Sequence, residues 1–321
     1  MKKILLFFIA LAPCLFAQNY EEIYLKNGPS AVIEAIEKNI LSKDYWLEKL
    51  KDKDVRYGYY DNEILLSVVD KTDKELEVIS YKDGVTKKLF SSSVIVGKNG
   101  DKLLEGDLKT PVGVYQLTRR FTPNDRYLGP LAFSLSYPNL LDKLAKRNGS
   151  GIWIHGYPLD GQRTDELKTK GCVAMQNEIL MKFDEVIDHK KTLAFIYEDK
   201  RPEASANDIA VIISGILNWK KTWSESDIDS YLKFYDKDFE RYDGMSLENF
   251  KNMKRAIFSK KEKKHIAFSN FLITPYPNLK NDKLFRVSFY EDYAADTHKF
   301  AGQKTLYVKL YGDEMKIFIE E

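Results

Sequence analysis

The stretch GIWIHGYPLDGQRTDELKTKGCVAM, residues 151–175, places a histidine on a predicted strand and a cysteine in a glycine-containing turn. Alternation along the strand puts His155 on the face opposite its isoleucine neighbours. Gly171 has no side chain to obstruct a substrate, and the amides of this turn are candidate donors to an oxyanion. These features are typical of thiolate chemistry, in which an imidazole acts as base for the sulfur of Cys172. A buried structural cysteine is the competing interpretation.

A metal site is a third interpretation of the same pair. The sequence has no Cys-x-x-Cys motif and no closely spaced histidines, and its remaining histidines are His189, His265 and His298. Zinc sites need three or four ligands held close together, so the pattern argues against a metal. We expect neither a metal nor a cofactor.

Two other catalytic classes fit the sequence less well. A papain-like protease has its histidine far downstream of its cysteine, whereas His155 precedes Cys172. The tetrad SYLK, residues 230–233, matches Ser-x-x-Lys, but no Ser-Asp-Asn or Lys-Thr-Gly motif accompanies it. We interpret the tetrad as coincidental.

The first residues of the chain predict export. Lys2 and Lys3 precede an apolar run from Ile4 to Ala12, and Ala17 suits a cleavage point, so residues 1–17 are typical of a signal peptide. The run is shorter than the roughly 20 residues that a membrane-spanning helix needs, which disfavours an uncleaved anchor. We expect a periplasmic protein.

A lipoprotein signal is the alternative at this end of the chain, because LAPC resembles a lipobox around Cys14; Pro13, however, replaces the small residue expected there. Removal of the signal leaves 48 basic and 48 acidic groups. Such a neutral chain lacks the clustered positive charge that would attract nucleic acid, so we expect no nucleic acid partner. Cys172 becomes the single thiol, and exported proteins normally pair their cysteines, which favours a reactive role.

Residue patterns divide the rest of the chain into three segments. Residues 18–60 are helical and too few to bury a core alone, so they pack on the chain or form a homodimer. Residues 61–199 are rich in short strands separated by Asp83-Gly84 and Asn99-Gly100, which predicts hairpins in an antiparallel sheet or barrel, with one helix starting at Asn177.

The last segment, residues 200–321, has helices before strands and predicts a separate α+β domain. One helix should extend from Ile209 through Trp223, a second should surround Tyr231 to Phe239, and a third should cover Leu247 to Phe258. Strand-like runs follow, beginning with HIAFSNFLITPY.

The residues around the histidine and the cysteine resemble a known family. HGYPLDGQRTDELKTKGCVAM is similar to the signature of the L,D-transpeptidase (YkuD) catalytic domain, and TPVG, residues 110–113, is similar to its upstream Thr-Pro-x-Gly motif. The resemblance covers about residues 63–199. It implies Cys172 as nucleophile, His155 as base and the backbone carbonyl of Gly156 as the group that orients the imidazole.

The resemblance also implies residues around the substrate. The amides of Gly171 and Cys172 would stabilise the oxyanion. Lys170 stands where the family usually has histidine and Ala174 where it often has arginine, so these positions would line the cleft and alter its specificity. Thr169 and Tyr157 complete the expected substrate-binding set.

From about Ser205 the chain resembles an NTF2-like domain, a cone of helices against a curved sheet, whose ligand or partner the sequence leaves open. The whole arrangement is similar to the murein LD-carboxypeptidases that set cell shape in helical epsilonproteobacteria. This resemblance implies an α+β protein that trims a tetrapeptide stem of peptidoglycan to a tripeptide and releases D-alanine. L,D-transpeptidation and a non-catalytic murein-binding scaffold are the alternatives.

Overall fold

The computed structural model describes residues 19–160 and 169–321, so the predicted signal peptide, residues 1–17, lies outside the described residues. Within these ranges the chain forms a sheet of eight strands, a sheet of six strands and a set of short and medium helices. The α+β class predicted from the sequence is confirmed. Among the described helices, none is long and apolar enough to cross a membrane.

The helices are α1 (Tyr20–Asn27), α2 (Pro29–Ile40), α3 (Lys43–Leu50), α4 (Leu140–Leu144), α5 (Asn177–Val186), α6 (Ala206–Ser224), α7 (Ile228–Leu232) and α8 (Leu247–Phe258), with 3-10 turns at Arg126–Leu128 and His189–Lys191. The strands are β1 (Tyr59–Tyr60), β2 (Ile64–Asp70), β3 (Glu75–Lys82), β4 (Val85–Ser93), β5 (Gly113–Phe121), β6 (Ala132–Leu135), β7 (Trp153–His155), β8 (Val173–Ala174), β9 (Thr192–Tyr197), β10 (Tyr235–Arg241), β11 (Lys264–Pro275), β12 (Leu284–Ala295), β13 (Lys299–Tyr311) and β14 (Glu314–Glu320).

The N-terminal segment is helical, and it packs on the C-terminal domain. Asn19 Oδ1 accepts the amide of Glu22 at 3.1 Å and so caps α1. Pro29 opens α2 at a position that needs no amide donor. Ser42 precedes α3 as predicted, although its hydroxyl makes no capping hydrogen bond. Leu50, at the end of α3, is buried in the core of the C-terminal domain.

The eight-stranded sheet has the order β4-β3-β2-β9-β5-β6-β7-β8. Most of its strand pairs are antiparallel, as predicted, but β9 runs parallel to β2 and β8 runs parallel to β7, which the sequence analysis did not predict. Parallel neighbours need a long connection between them, and the chain supplies one in the segment between β7 and β8.

Two predicted hairpin turns behave differently. At Asp83 and Gly84, φ is 53° and 85°, values that suit the tight turn between β3 and β4. Asn99-Gly100 does not join two strands, because β4 already ends at Ser93. After Ser93 the chain makes isolated bridges from Ile95 to Ala174 and from Lys98 to Lys109. The segment therefore leaves the sheet edge and crosses towards the cysteine turn.

Each face of this sheet packs against a different partner. On one face, Phe133 and Ile154 pack with Phe183 of α5. On the other face, Phe195 shares a core with Tyr276, which follows β11, and with Tyr307 of β13. The eight-stranded sheet therefore lies between α5 and the C-terminal domain.

The second sheet has the order β1-β11-β12-β13-β14-β10, with α6, α7 and α8 covering it. Ser205 and Asp208 form a capping box at the start of α6. The helix predicted around Tyr231 to Phe239 is wrong beyond α7, because Tyr235 begins β10 and pairs with Ile317 of β14. Aromatic residues four apart suit a helix, but pairing with β14 decides the outcome here.

Candidate functional site

Parallel pairing of β7 and β8 brings the histidine and the cysteine together. Ile154 pairs with Val173 and His155 pairs with Ala174. Cys172, which immediately precedes β8, therefore lies beside Trp153 of β7. Residues two apart on paired strands share a face, and the strand spacings put the Cα atoms of His155 and Cys172 roughly 8 Å apart. The two side chains predicted from the sequence therefore belong to one site.

The imidazole of His155 is oriented by the backbone beside it. The residue is 2 % exposed, and its Nδ1 lies 2.7 Å from the carbonyl oxygen of Gly156. A proton on Nδ1 that donates to this carbonyl leaves Nε2 with the lone pair that a base requires. The geometry thus suits the role that the family resemblance implies for Gly156.

Asn177 supports this arrangement from the first residue of α5. Its Oδ1 accepts the amide of Tyr157 at 2.8 Å. A methyl group at Gly156 would overlap the same oxygen and crowd Gly129. The amide of Gly156 in turn donates to the carbonyl of Leu128 at 3.1 Å. Sequence reasoning treated Asn177 only as a helix start, because nothing near it in sequence reveals the contact.

Hydroxyl groups hold the backbone of the cysteine turn. The carbonyl oxygen of Cys172 accepts from Thr169 Oγ1 at 2.6 Å and from Thr110 Oγ1 at 3.5 Å. Thr110 also accepts the amide of Gly97 at 2.8 Å, which ties the TPVG motif to the turn. The Cys172 side chain is partly exposed, and its Sγ donates to the carbonyl of Gly151 at 3.4 Å.

The proposed oxyanion donors are not equivalent. The amide of Gly171 already donates to Thr169 Oγ1 at 3.1 Å, so it is engaged within the turn. Gly171 has φ of +123°, and a Cβ there would lie 2.8 Å from the carbonyl oxygen of Lys109. The position therefore requires glycine for the path of the backbone, in addition to any role in binding an oxyanion.

The remaining predicted site residues divide by exposure. Lys170 is exposed and Tyr157 is half-buried beside the site, whereas Thr169 is buried and acts on the turn. Ala174 pairs with His155 and is fully buried, and its amide and carbonyl both bond to Ile95, at 2.8 and 2.7 Å.

A buried ion cluster, Asp101, Arg147 and Asp142, lies beneath the TPVG motif. Arg147 lies 2.7 Å from Asp101 Oδ2 and 2.9 Å from Asp142 Oδ1. Asp101 Oδ1 accepts the amide of Val112 at 2.8 Å, inside the motif. Burial raises the pKa of Asp142 to about 6 and also raises the pKa of Asp101, and the charge of Arg147 offsets only part of this effect. No sequence motif predicted this cluster.

The C-terminal domain has a cavity of its own, separate from the cysteine. It has a volume of about 630 Å³ and contains Tyr293 and His298 in its lining, with the buried carboxyls of Glu291 and Glu320 beside Lys304. Among the described residues, no group of three or more His, Cys, Asp or Glu side chains is placed to hold a metal ion.

Comparison with known proteins agrees with both domains. Residues 66–196 match the L,D-transpeptidase catalytic domain (YkuD), and residues 211–321 match the Cds6 C-terminal NTF2-like domain. Among curated proteins, none matches the chain.

Solved structures extend the similarity over most of the chain. The helical cell shape determining protein Pgp2 from Campylobacter jejuni is 48 % identical with a TM-score of 0.83, and the match covers 88 % of this chain and 99 % of that one. Bd1075 from Bdellovibrio bacteriovorus is 28 % identical with a TM-score of 0.63, over 84 % of this chain and 96 % of that one. The chain therefore belongs to the family of proteins that join an L,D-transpeptidase catalytic domain to a C-terminal NTF2-like domain, the family that includes Pgp2.

Proposed function

We propose that this protein is a cysteine-dependent murein LD-carboxypeptidase, which shortens a tetrapeptide stem to a tripeptide and releases D-alanine. The observation that carries the proposal is the pairing of β7 with β8, which sets Cys172 beside an imidazole bonded at 2.7 Å to the carbonyl of Gly156. The similarity of the whole chain to a helical cell shape determining protein supports a role in cell shape.

The proposed reaction has two stages. His155 Nε2 takes the proton of the Cys172 thiol, and the sulfur attacks the carbonyl of the diamino acid at its bond to D-alanine. Collapse of the tetrahedral intermediate transfers the proton to the D-alanine amine, which leaves. His155 then activates a water that attacks the thioester, so the tripeptide carboxylate is released and the thiol is restored.

The oxyanion of each stage needs nearby donors. We assign the amide of Cys172 to this role, because the amide of Gly171 already donates to Thr169 Oγ1 at 3.1 Å. The same hydroxyl donates to the carbonyl of Cys172 at 2.6 Å and so holds the turn. No metal takes part in the proposed steps.

We also propose that the protein acts in the periplasm after removal of residues 1–17, and that it forms a homodimer through its N-terminal helices. Leu25 is 84 % exposed and Ile33 is 60 % exposed on α1 and α2. Exposed apolar residues on adjoining helices favour association with a second copy.

Product analysis tests the proposed reaction. Purified mature protein, given a disaccharide tetrapeptide without metal or nucleotide, is expected to yield the tripeptide and free D-alanine by mass spectrometry. L,D-transpeptidation would instead give a dimer that is one alanine lighter than two tetrapeptides. A scaffold would give neither product while still co-sedimenting with sacculi.

A further inference from the structure

The hydroxyl of Tyr276 lies against the TPVG motif of the other domain. Tyr276 directly follows β11 in the NTF2-like domain and is 1 % exposed. A Cβ on Gly113, the last residue of the motif, would overlap this hydroxyl oxygen and would lie 2.9 Å from the ring carbon that carries it. The phenol group therefore occupies the space that a side chain at Gly113 would need.

The TPVG motif in turn lies against the turn that carries the cysteine. A Cβ on Gly171 would lie 2.8 Å from the carbonyl oxygen of Lys109, so the two backbones are in close contact just before the motif begins. Thr110, its first residue, is fully buried, and its Oγ1 lies 3.5 Å from the carbonyl oxygen of Cys172. The motif therefore has Tyr276 at one end and the cysteine turn at the other.

Polar contacts join the same hydroxyl to the motif by a second route. Asn139 Nδ2 donates to Tyr276 Oη at 2.7 Å and to the carbonyl of Val114 at 3.2 Å. Its Oδ1 accepts the amide of Asp142 at 3.0 Å. The buried ion cluster then connects Asp142 to the amide of Val112. Both routes therefore reach the backbone at the end of the motif.

The groups along both routes are tightly packed. Thr110, Asp142 and Tyr276 are each at most 1 % exposed. Protein interiors are packed about as densely as organic crystals, so a shift of one group displaces its neighbours. Catalysis tolerates little displacement, since a mutation far from the chemistry that misplaces a reacting group by about 1 Å can cost about 100-fold in rate. A change at the Tyr276 hydroxyl should therefore disturb the cysteine turn.

We propose that Tyr276 is a positioning residue for Cys172, through which the NTF2-like domain sets the geometry of the cysteine site. This inference rests on the proposed function for its nucleophile. It assigns the NTF2-like domain a part in the reaction that is independent of any ligand in that domain's own cavity. Removal of the Tyr276 hydroxyl should therefore slow the chemistry at the sulfur.

The test uses full-length mature protein carrying Tyr276→Phe, which keeps the ring and removes the hydroxyl. We expect kcat for release of D-alanine to fall at least about fivefold with KM nearly unchanged, because the change affects the placement of the sulfur and leaves substrate contacts intact. The rate of alkylation of Cys172 by iodoacetamide at neutral pH should fall as well. A residue with a purely structural role would lower the unfolding temperature and leave both rates of the folded protein unchanged.

Tyr60→Phe is the matched control. Tyr60 is 3 % exposed and lies in the same core between the two sheets as Tyr276. Its hydroxyl bonds to the carbonyl of Tyr57 at 2.7 Å and to Thr274 Oγ1 at 3.2 Å, and both partners lie outside the TPVG motif. The control should lose a buried hydroxyl and keep kcat and the alkylation rate of wild type. Thermal unfolding of each variant separates an effect on position from loss of fold.

Unchanged kcat and alkylation rates in folded Tyr276→Phe protein, or equal losses in the two variants, would overturn the inference. The proposed function is judged separately by product analysis. Dimers in place of the tripeptide would exclude the carboxypeptidase, but the alkylation rates of the two variants would still decide the role of Tyr276.

Discussion

The backbone of Cys172 is fixed by side chains that do not themselves react. The single hydroxyl of Thr169 donates to the carbonyl of Cys172 and accepts from the amide of Gly171. Its side chain is 5 % exposed, so water does not readily replace it. The position of the sulfur therefore depends on a hydroxyl that the sequence alone would assign to substrate binding.

Thr169→Val should lower kcat by about tenfold or more, because the isosteric change leaves a buried carbonyl and amide without this partner, at a cost of about 1–3 kcal/mol. Thr222→Val is a matched control, because Thr222 Oγ1 bonds to the carbonyl of Trp219 at 2.8 Å in the other domain. Steady-state kinetics and thermal unfolding measure the two effects. Equal losses of kcat in both variants would contradict a local role for Thr169.

Gly156→Ala should abolish activity, because the added methyl overlaps Asn177 Oδ1 and must displace either α5 or the carbonyl that orients His155. Gly156→Ala/Asn177→Ala removes the overlapping oxygen, so part of the kcat should return. Turnover of the single and double variants is compared at equal folded fraction. Full activity of the single variant would disprove the close packing.

His155, Gly156 and Cys172 could be predicted as site residues, because their chemistry is visible in the residue types and in the family motif. Ala174 shares the face of Cys172 and His155, but the motif does not reveal that it is fully buried. Asn177 acts through a contact across space, and an asparagine at a helix start has an ordinary explanation as a cap.

Among the elements, α4 carries the buried ion cluster beneath the TPVG motif. Asn139 and Asp142 form a capping box at its start, and Asp142 is fully buried. Arg147 follows the helix and links it to Asp101, whose other oxygen holds the amide of Val112. The ion pairs of Arg147 thus connect α4 to the TPVG motif.

This cluster predicts a pH dependence of stability. A carboxyl with a raised folded-state pKa holds its proton more tightly in the folded chain than in the unfolded chain. The contribution of Asp142 to the free energy of unfolding is therefore fully present below its ordinary pKa of 3.8, and it is lost as the pH rises through its folded-state pKa of about 6.

Urea unfolding of wild type and Asp142→Asn at pH 4 and pH 7 should reveal this loss. The difference in unfolding free energy, wild type minus variant, should fall with rising pH by on the order of 2 kcal/mol. The exposed Asp73→Asn variant is the control for the substitution itself. A difference that stays constant or grows with pH would contradict the raised pKa.

Element types were predictable where a periodic pattern met a clear boundary. The helices α6 and α8 cover the residues that the sequence patterns predicted as helical. The pattern failed at β10, where pairing with β14 overrode aromatic spacing, and after Ser93, where the chain crosses to Ala174. Both failures depend on partners that are distant in the sequence.

At the scale of the molecule, the two domains share a core instead of being linked loosely. Tyr276 is 1 % exposed, and its hydroxyl accepts from Asn139 Nδ2 at 2.7 Å. A Cβ at Gly113, the last residue of the TPVG motif, would lie 2.8 Å from the hydroxyl of Tyr115 and closer still to that of Tyr276. The NTF2-like domain therefore contacts the catalytic domain directly. The sequence analysis, which treated the two domains separately, did not predict this contact.

The exposed apolar residues of α1 and α2 lead us to expect a homodimer. Leu25→Glu/Ile33→Glu should convert a dimer to a monomer in sedimentation velocity, because the charges would be buried in the proposed interface. Val85→Glu, at a residue 66 % exposed on β4, is the control for an added surface charge. A wild-type monomer, or a dimer that survives the double change, would exclude this interface.

The proposed mechanism depends most on the reactivity of Cys172 beside His155. The rate of alkylation of the native protein by iodoacetamide at neutral pH measures it directly, with the labelled site located by peptide mapping. We expect rapid labelling of Cys172, loss of activity in proportion to labelling, and a rate at least tenfold lower in folded His155→Ala protein. Resistance of the native thiol until the chain is unfolded, or an unchanged rate without the imidazole, would contradict the proposed nucleophile and base.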